Sequence, residues 1–248
     1  MVTQITAGRV YDYSHCIGRG GITGIGFQDV NGIALGSEDR VYVLNRGGEN
    51  IASVPWNKTG RGTRVGVFSL GENPGDEEFI TEFGKYGDSA GEFIWPAGIA
   101  LDDQHRVYIS DEFLNLILVF DSEGNHIQSW NGLKPDGSTL QGPCGIAINN
   151  SQQIFVVEST GDKVSKFTLT GEFIQEWGSH GSGEGELNRP WGAAIDPEGN
   201  VYVADHKNNR VQKFTDSGKY LLSFGTFGDG RGELNRPSDV CVDDEGDV

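Results

Sequence analysis

No apolar run in this sequence approaches the roughly 20 residues that cross a bilayer. The opening MVTQITAGRVYDYS lacks the apolar stretch of a secretory signal. The expected setting is therefore cytoplasmic, with no membrane partner. Basic residues are few, 19 Lys and Arg against 36 Asp and Glu, for a formal charge of −17. A field of that sign repels phosphate backbones, so nucleic acid is not the expected partner. Cysteine is scarce as well: Cys16, Cys144 and Cys241 are odd in number and far apart. That excludes a disulfide framework or a CxxC metal knuckle and reads as small buried apolar residues. The glycine run GRGGITGIG, from Gly18 to Gly26, lacks the Lys that a phosphate-binding loop requires.

What is abundant is glycine, 38 residues against only 8 prolines, in a chain of 248 that is 36% hydrophobic. That is the composition of many tight turns around a core of real size. The turns recur. GELNRP at Gly185 to Pro190 returns as GELNRP at Gly232 to Pro237, and Pro96, Pro143, Pro190 and Pro237 follow one another at intervals of 47. The block that begins at Pro190 reads as four short strands, Gly192 to Ile195, Val201 to Ala204, Arg210 to Phe214 and Tyr220 to Phe224. They are separated by DPEGN, DHKNN and TDSGK, which carry the Asp, Asn and Gly of tight connections. A divergent copy begins at Val30 with VNGIALGSEDRVYVLN. Four antiparallel strands per unit, at a period in the forties, predict an all-β fold, a β-propeller of four-stranded blades.

Through P-x-G-I-A-x-D, V-Y-V-A-D, N-N-R-V-Q-K-F and the closing aromatic-glycine pair, the chain resembles the NHL-repeat β-propeller family. The likeness implies a six-bladed ring and one domain over 1–248, with blades at about 29–84, 96–131, 143–178 and 190–225 and a partial blade at 237–248. The segment 11–18 reads as an outer closing strand, since Gly18 precedes Val30 by the 12 positions that separate Gly84 from Pro96. On that register the chain as written stops about one and a third blades short of six.

Strand alternation puts the inter-blade joints and the second-to-third turns on one face, the top, where the central channel opens. Glu92, Glu186 and Glu233 in the joints are expected to brace them, because a catalytic group need not recur around a ring. The residue after each Pro varies instead: Asn31, Ala97, Cys144, Trp191 and Ser238. Variation at the channel mouth suits a ligand site and equally suits an unconstrained rim. The first repeat also has a long second-to-third loop, Asn45 to Thr63, which brings Arg46, Glu49, Trp56, Lys58 and Arg61 to the same face. Both a packed lid and a loose loop are open for it.

Asp205 with Arg210 and Glu158 with Lys163 read as ion pairs across a turn, while Leu116 leaves Asp111 the carboxylate freest to meet a ligand. Among the histidines only His180 and His206 share the top face with each other, too few for zinc. The peptidyl-hydroxyglycine amidating lyases, which the family resemblance brings in, hold their metal with histidines near inner-strand starts, and the matching positions here have none. Calcium stays open, because lactonase-like propellers use Glu, Asn and Asp at the axis and Asn31 and Asp239 lie near that depth. RNA binding would rest on Arg46, Lys58, Arg61, Arg189 and Arg236 against the overall charge. The expected function is a binding module for a protein or small-molecule ligand, through Asn31, Arg46, Trp56, Asp111, Trp191, His206, Ser238 and Asp239. No catalytic residue and no bound cofactor is expected. A metal-dependent lyase-like or lactonase-like enzyme is the alternative.

Overall fold

The computed structural model describes residues 17, 27, 29–47, 62–73 and 75–248, and the backbone of 3–6, 9–12, 19–20 and 26. The expectations for Trp56, Glu49, Lys58, Arg61 and Cys16, and most of the expected closing strand 11–18, lie outside the described residues.

Four sheets of four antiparallel strands dominate, each in simple sequential order. The first blade is Val30–Leu35, Arg40–Arg46, Thr63–Ser69 and Glu78–Phe83. The second is Pro96–Leu101, Val107–Asp111, Leu116–Phe120 and His126–Trp130. The third is Pro143–Ile148, Gln153–Glu158, Lys163–Thr168 and Phe173–Trp177. The fourth is Ala193–Ile195, Val201–Asp205, Arg210–Phe214 and Tyr220–Phe224. Thr3–Thr6 pairs antiparallel with Arg9–Asp12 in a separate two-stranded sheet. Residues 237–248 form no strand; Asp243 to Asp247 close a turn through the Asp243 amide on the Asp247 carbonyl. No helix among the described residues is long and apolar enough to cross a membrane.

The hydrophobic core lies between blades, not within them. Side chains alternate across a strand, so Val107 and Ile109 face Tyr42, Leu44, Val65 and Val67 of the first blade. Their neighbour Tyr108 points the other way and packs with Ile154, Val156 and Phe167 of the third. Phe155 and Val157 repeat the pattern against Val201, Val203 and Phe214 of the fourth. Second and third strands are covered on both faces, which is why they read as continuous apolar runs. Each interface has an aromatic stop: a Cβ placed on Gly171 would lie 2.7 Å from the Trp130 ring, and one on Gly218 2.6 Å from that of Trp177. Those glycines, at φ +89° and +81°, complete the third-to-fourth hairpins and let the ring of the preceding blade lie flush.

The joints are tied down by polar side chains at fixed offsets. The last residue of each second strand, or in the first blade the one before it, is buried and accepts a backbone N–H from the joint 16 or 17 positions earlier. Asn45 takes Asp29 at 3.1 Å, Asp111 takes Ile94 at 2.7 Å, Glu158 takes Gln141 at 2.7 Å and Asp205 takes Asn188 at 2.8 Å. A second tie runs between blades. Asn115, Asp162 and Asn209, all left-handed, accept the amides of Gly142, Arg189 and Arg236, each 27 positions later, at 2.7, 2.6 and 2.9 Å. The joint itself closes on its glutamate: Glu92, Glu186 and Glu233 accept the amides of Ser89, Gly183 and Gly230 at 3.1, 2.8 and 2.8 Å. The pairing of Glu158 with Lys163 is corrected. Glu158 instead meets the buried Lys134 at 2.7 Å, and Lys163 reaches Glu176 at 3.0 Å. Lys134 comes from the joint that has no glutamate, so its ammonium supplies the polar tie there. Asp205 and Arg210 do pair, at 2.8 Å.

Two stability predictions follow from these ties. Asp111→Asn exchanges one acceptor oxygen for an amide group facing two N–H donors, and should cost about 1–3 kcal/mol in urea unfolding. Glu92 is held below the ordinary glutamate range by its hydrogen bond to Lys85 and by the Ser89 amide. Its contribution is therefore present above that range and lost as pH falls through the lowered value. The melting temperature of Glu92→Gln should lie below that of the parent at neutral pH and converge with it on acidification.

Candidate functional site

The innermost strands begin with a small-residue step, Asn31-Gly32, Ala97-Gly98, Cys144-Gly145 and Trp191-Gly192. The glycine is a matter of space. A Cβ on Gly98 would sit 2.5 Å from the Cys144 carbonyl oxygen, and one on Gly145 2.5 Å from that of Trp191. Backbone on backbone cannot give way, so only glycine lets the strands converge at the axis. The Gly145 amide donates to the Trp191 carbonyl at 2.7 Å, joining the third and fourth blades there.

These glycines help to line a partly open cavity of about 360 Å³. Five of the residues singled out from sequence line it: Asn31, Arg46, Trp191, Ser238 and Asp239. The Asn31 amide donates to the Pro96 carbonyl at 3.2 Å, spanning the first and second blades at the mouth. The Arg46 guanidinium lies 4.9 Å from the centre of the Trp95 ring, which in turn makes an edge contact with Phe113 at 5.6 Å. Across the cavity Trp191 packs on His206, their rings 5.1 Å apart, and His206 Nδ1 lies 3.3 Å from the Pro237 carbonyl. His206 thus supports the indole from behind and does not line the cavity. Asp239 lines the cavity as an exposed residue, and partial burial of its carboxyl against the inner strands pushes it above the ordinary aspartate range.

Asp111 is corrected outright. Its carboxylate is buried and accepts four backbone amides, Ile94 and Trp95 on one oxygen and Phe113 and Leu114 on the other, at 2.7 to 3.0 Å. Burial raises its pKa and these four donors oppose the rise. A group so fully engaged has no lone pair left for a ligand. Leu116 frees it from a cation but not from the backbone. Cys144 is buried and outside the cavity, its thiol pushed up to about 12 by burial, which leaves no thiolate for chemistry. Cys241, expected to be buried, is exposed and lines the cavity.

Trp95 and Phe113 are the residues that sequence reasoning missed, 40% and 56% exposed on the top face. A signal existed. Trp95 occupies the position before the joint proline where the other blades have Gly142, Arg189 and Arg236, all left-handed, whereas Trp95 is not among the left-handed residues. Scanning the residue before each proline, as well as the residue after it, would have found it.

The cavity offers one carboxylate, one guanidinium, an amide, a hydroxyl and an indole. That set can hold a polar ligand in one orientation. Among the described residues no three His, Cys, Asp or Glu side chains converge, and His180 is engaged with Asp162 at 2.8 Å.

Residues 187–214 match the NHL repeat. They run from Leu187, buried in the joint, through the third strand of the fourth blade. No curated protein matches the sequence. Among solved structures, a protein of unknown function from Bacteroides thetaiotaomicron superposes with a TM-score of 0.64 at 19% identity, over 89% of this chain and 56% of its own. A catalytically inactive virginiamycin B lyase from Staphylococcus aureus, with quinupristin, gives 0.54 at 16% identity, over 79% and 55%. Hydrazine synthase from Kuenenia stuttgartiensis gives 0.55 at 13%, over 79% and 50%. The chain spans about half the length of these structures, and identities so low speak for the fold alone. The 47-residue repeat, the four four-stranded sheets and these superpositions agree on a β-propeller fold, in which residues 187–214 match the NHL repeat.

Proposed function

We propose that the protein is a ligand-binding propeller that takes a small molecule into the axial cavity at its top face. The observation that carries this reading is the convergence of Asn31, Arg46, Trp191, Ser238 and Asp239 on one concave, partly open space of about 360 Å³. That is the size and character of ordinary small-ligand sites, a concave space with a few placed polar groups. These are also positions where the repeat departs from itself. Framework groups such as Asp111, Glu158 and Asp205 recur and are buried, whereas the cavity-lining ones differ from blade to blade.

Each polar group has a task in this reading. Arg46, its guanidinium held over Trp95, presents a cation at the mouth. Trp191, supported by His206, presents a ring face to an apolar or aromatic part. Asn31 and Ser238 supply donors and acceptors that set orientation. Trp95 and Phe113 extend the apolar rim next to Arg46, and through them a protein partner is the coarser form of the same proposal.

Small molecules retained through native purification should be released on denaturation and identified by mass spectrometry. For an identified ligand, Trp191→Ala and Arg46→Ala should each weaken binding by about tenfold or more, while Glu92→Gln, in a joint, should leave it unchanged. Unchanged affinity in both cavity variants sinks the assignment. Zinc or calcium retained in stoichiometric amount after dialysis would favour the metal-dependent lyase-like or lactonase-like reading instead.

A further inference from the structure

Four inner strands carry glycine at the axial step, Gly32, Gly98, Gly145 and Gly192; the fifth copy of the motif, Pro237-Ser238-Asp239, carries a carboxylate. The residue is exposed to the cavity, but its carboxylate is backed by the fourth blade. A Cβ placed on Gly192 would lie 2.3 Å from Asp239 Oδ1, so the missing side chain of the fourth blade is the recess in which the carboxylate sits. Among the described residues its one hydrogen bond is from the amide of the next residue, Val240, at 2.9 Å. Among the described residues no Lys, Arg or His pairs with it, in contrast to Asp196, Asp205 and Asp216, which each hold a cation.

We propose that the axial cavity is a receptor for an organic ammonium group, with Asp239 as counter-ion and the face of Trp191 beside it. The inference rests on the ligand-site reading and names the chemistry of the ligand. A partly desolvated carboxylate without a cation is harder to ionise than one in water, and that cost falls when an ammonium arrives with its own hydrogen-bond donors. The upward push that partial burial gives the Asp239 carboxyl is the free-protein side of that cost. Trp191 lines the same cavity, and indole is the best ring partner for a cation. The net charge of −17 raises the local concentration of cations around the whole molecule. Arg46, on the first blade, works in the opposite sense. It excludes a second cation and turns the ligand so that its ammonium faces Asp239 and its neutral or anionic end faces Arg46.

A hard metal ion is the less suitable occupant. Calcium takes six to eight oxygens, and the cavity's side chains offer Asp239, Asn31 and Ser238. An ammonium needs only three acceptors and accepts a ring face as part of its shell. A titratable neighbour that bears on the site is His206, behind Trp191, whose Nδ1 is directed at the Pro237 carbonyl and not at Asp239.

The test is calorimetric titration of the full chain with benzylamine, a cation at neutral pH, and with benzyl alcohol, its neutral counterpart. Asp239→Asn keeps the shape and removes the charge; Asp239→Gly restores the residue of the other four repeats and guards against a folding defect, with circular dichroism melts on each. Benzylammonium should bind the parent at least about tenfold more tightly than the alcohol, and the two should become equal in both variants. Equal affinities in the parent, or a preference that survives Asp239→Asn, overturns the ammonium assignment. If alcohol binding is then still lost in Trp191→Ala, the ligand-site reading stands without it. Binding of neither probe overturns both. Displacement of benzylammonium by millimolar calcium, dependent on Asp239, makes this a metal site and overturns the proposal.

Discussion

A buried acceptor at the end of each second strand is the contact on which the rest of this architecture hangs. Asn45, Asp111, Glu158 and Asp205 have almost no exposure, and each grips the backbone of the joint that leads into its own blade. Loops cannot be buried with their amides unpaired, so without this grip the joints could not cross the top of the molecule close to the axis. With it, the inner strands start at a fixed height and meet at glycine-wide spacing. The cavity follows from that spacing. Its walls are backbone and its chemistry comes from the few residues that break the pattern.

Much of the fold was legible because the repeat makes the same physical demand several times. Pro96, Pro143, Pro190 and Pro237 set the register, and the strands inferred from the block at Pro190 agree with the observed ones to within a residue. The glutamates of the joints brace as expected. Less was legible where two residues of the right charge compete for one partner. Lys163 lies opposite Glu158 in the ladder, but Lys134 arrives from the joint with a buried ammonium and takes the carboxylate. Nothing in local spacing reports that a side chain 24 positions away will reach the same oxygen.

The candidate site was partly legible, for the same reason in reverse. Positions that vary within the repeat pointed to Asn31, Trp191 and Ser238, and these do line the cavity. Asp111 misled because the absence of a cationic neighbour was read as freedom. A carboxylate can be fully occupied by backbone amides, which leave no trace in the side-chain sequence. Trp95 was hidden by its place on the far side of the proline from the position that drew attention, and Cys241 by the habit of burying cysteine.

Each large apolar cluster is shared by two consecutive blades, while each ladder of backbone hydrogen bonds belongs to one. The piece of sequence that repeats and the piece of core that holds together are therefore out of phase by half a unit. Duplicating or deleting 47 residues would therefore bring equivalent faces together, although the residues on them differ from blade to blade. A single altered residue has the opposite fate. Tyr108 belongs to the second repeat by inheritance, yet its ring is part of the third blade's packing, and a change there is selected through its neighbour.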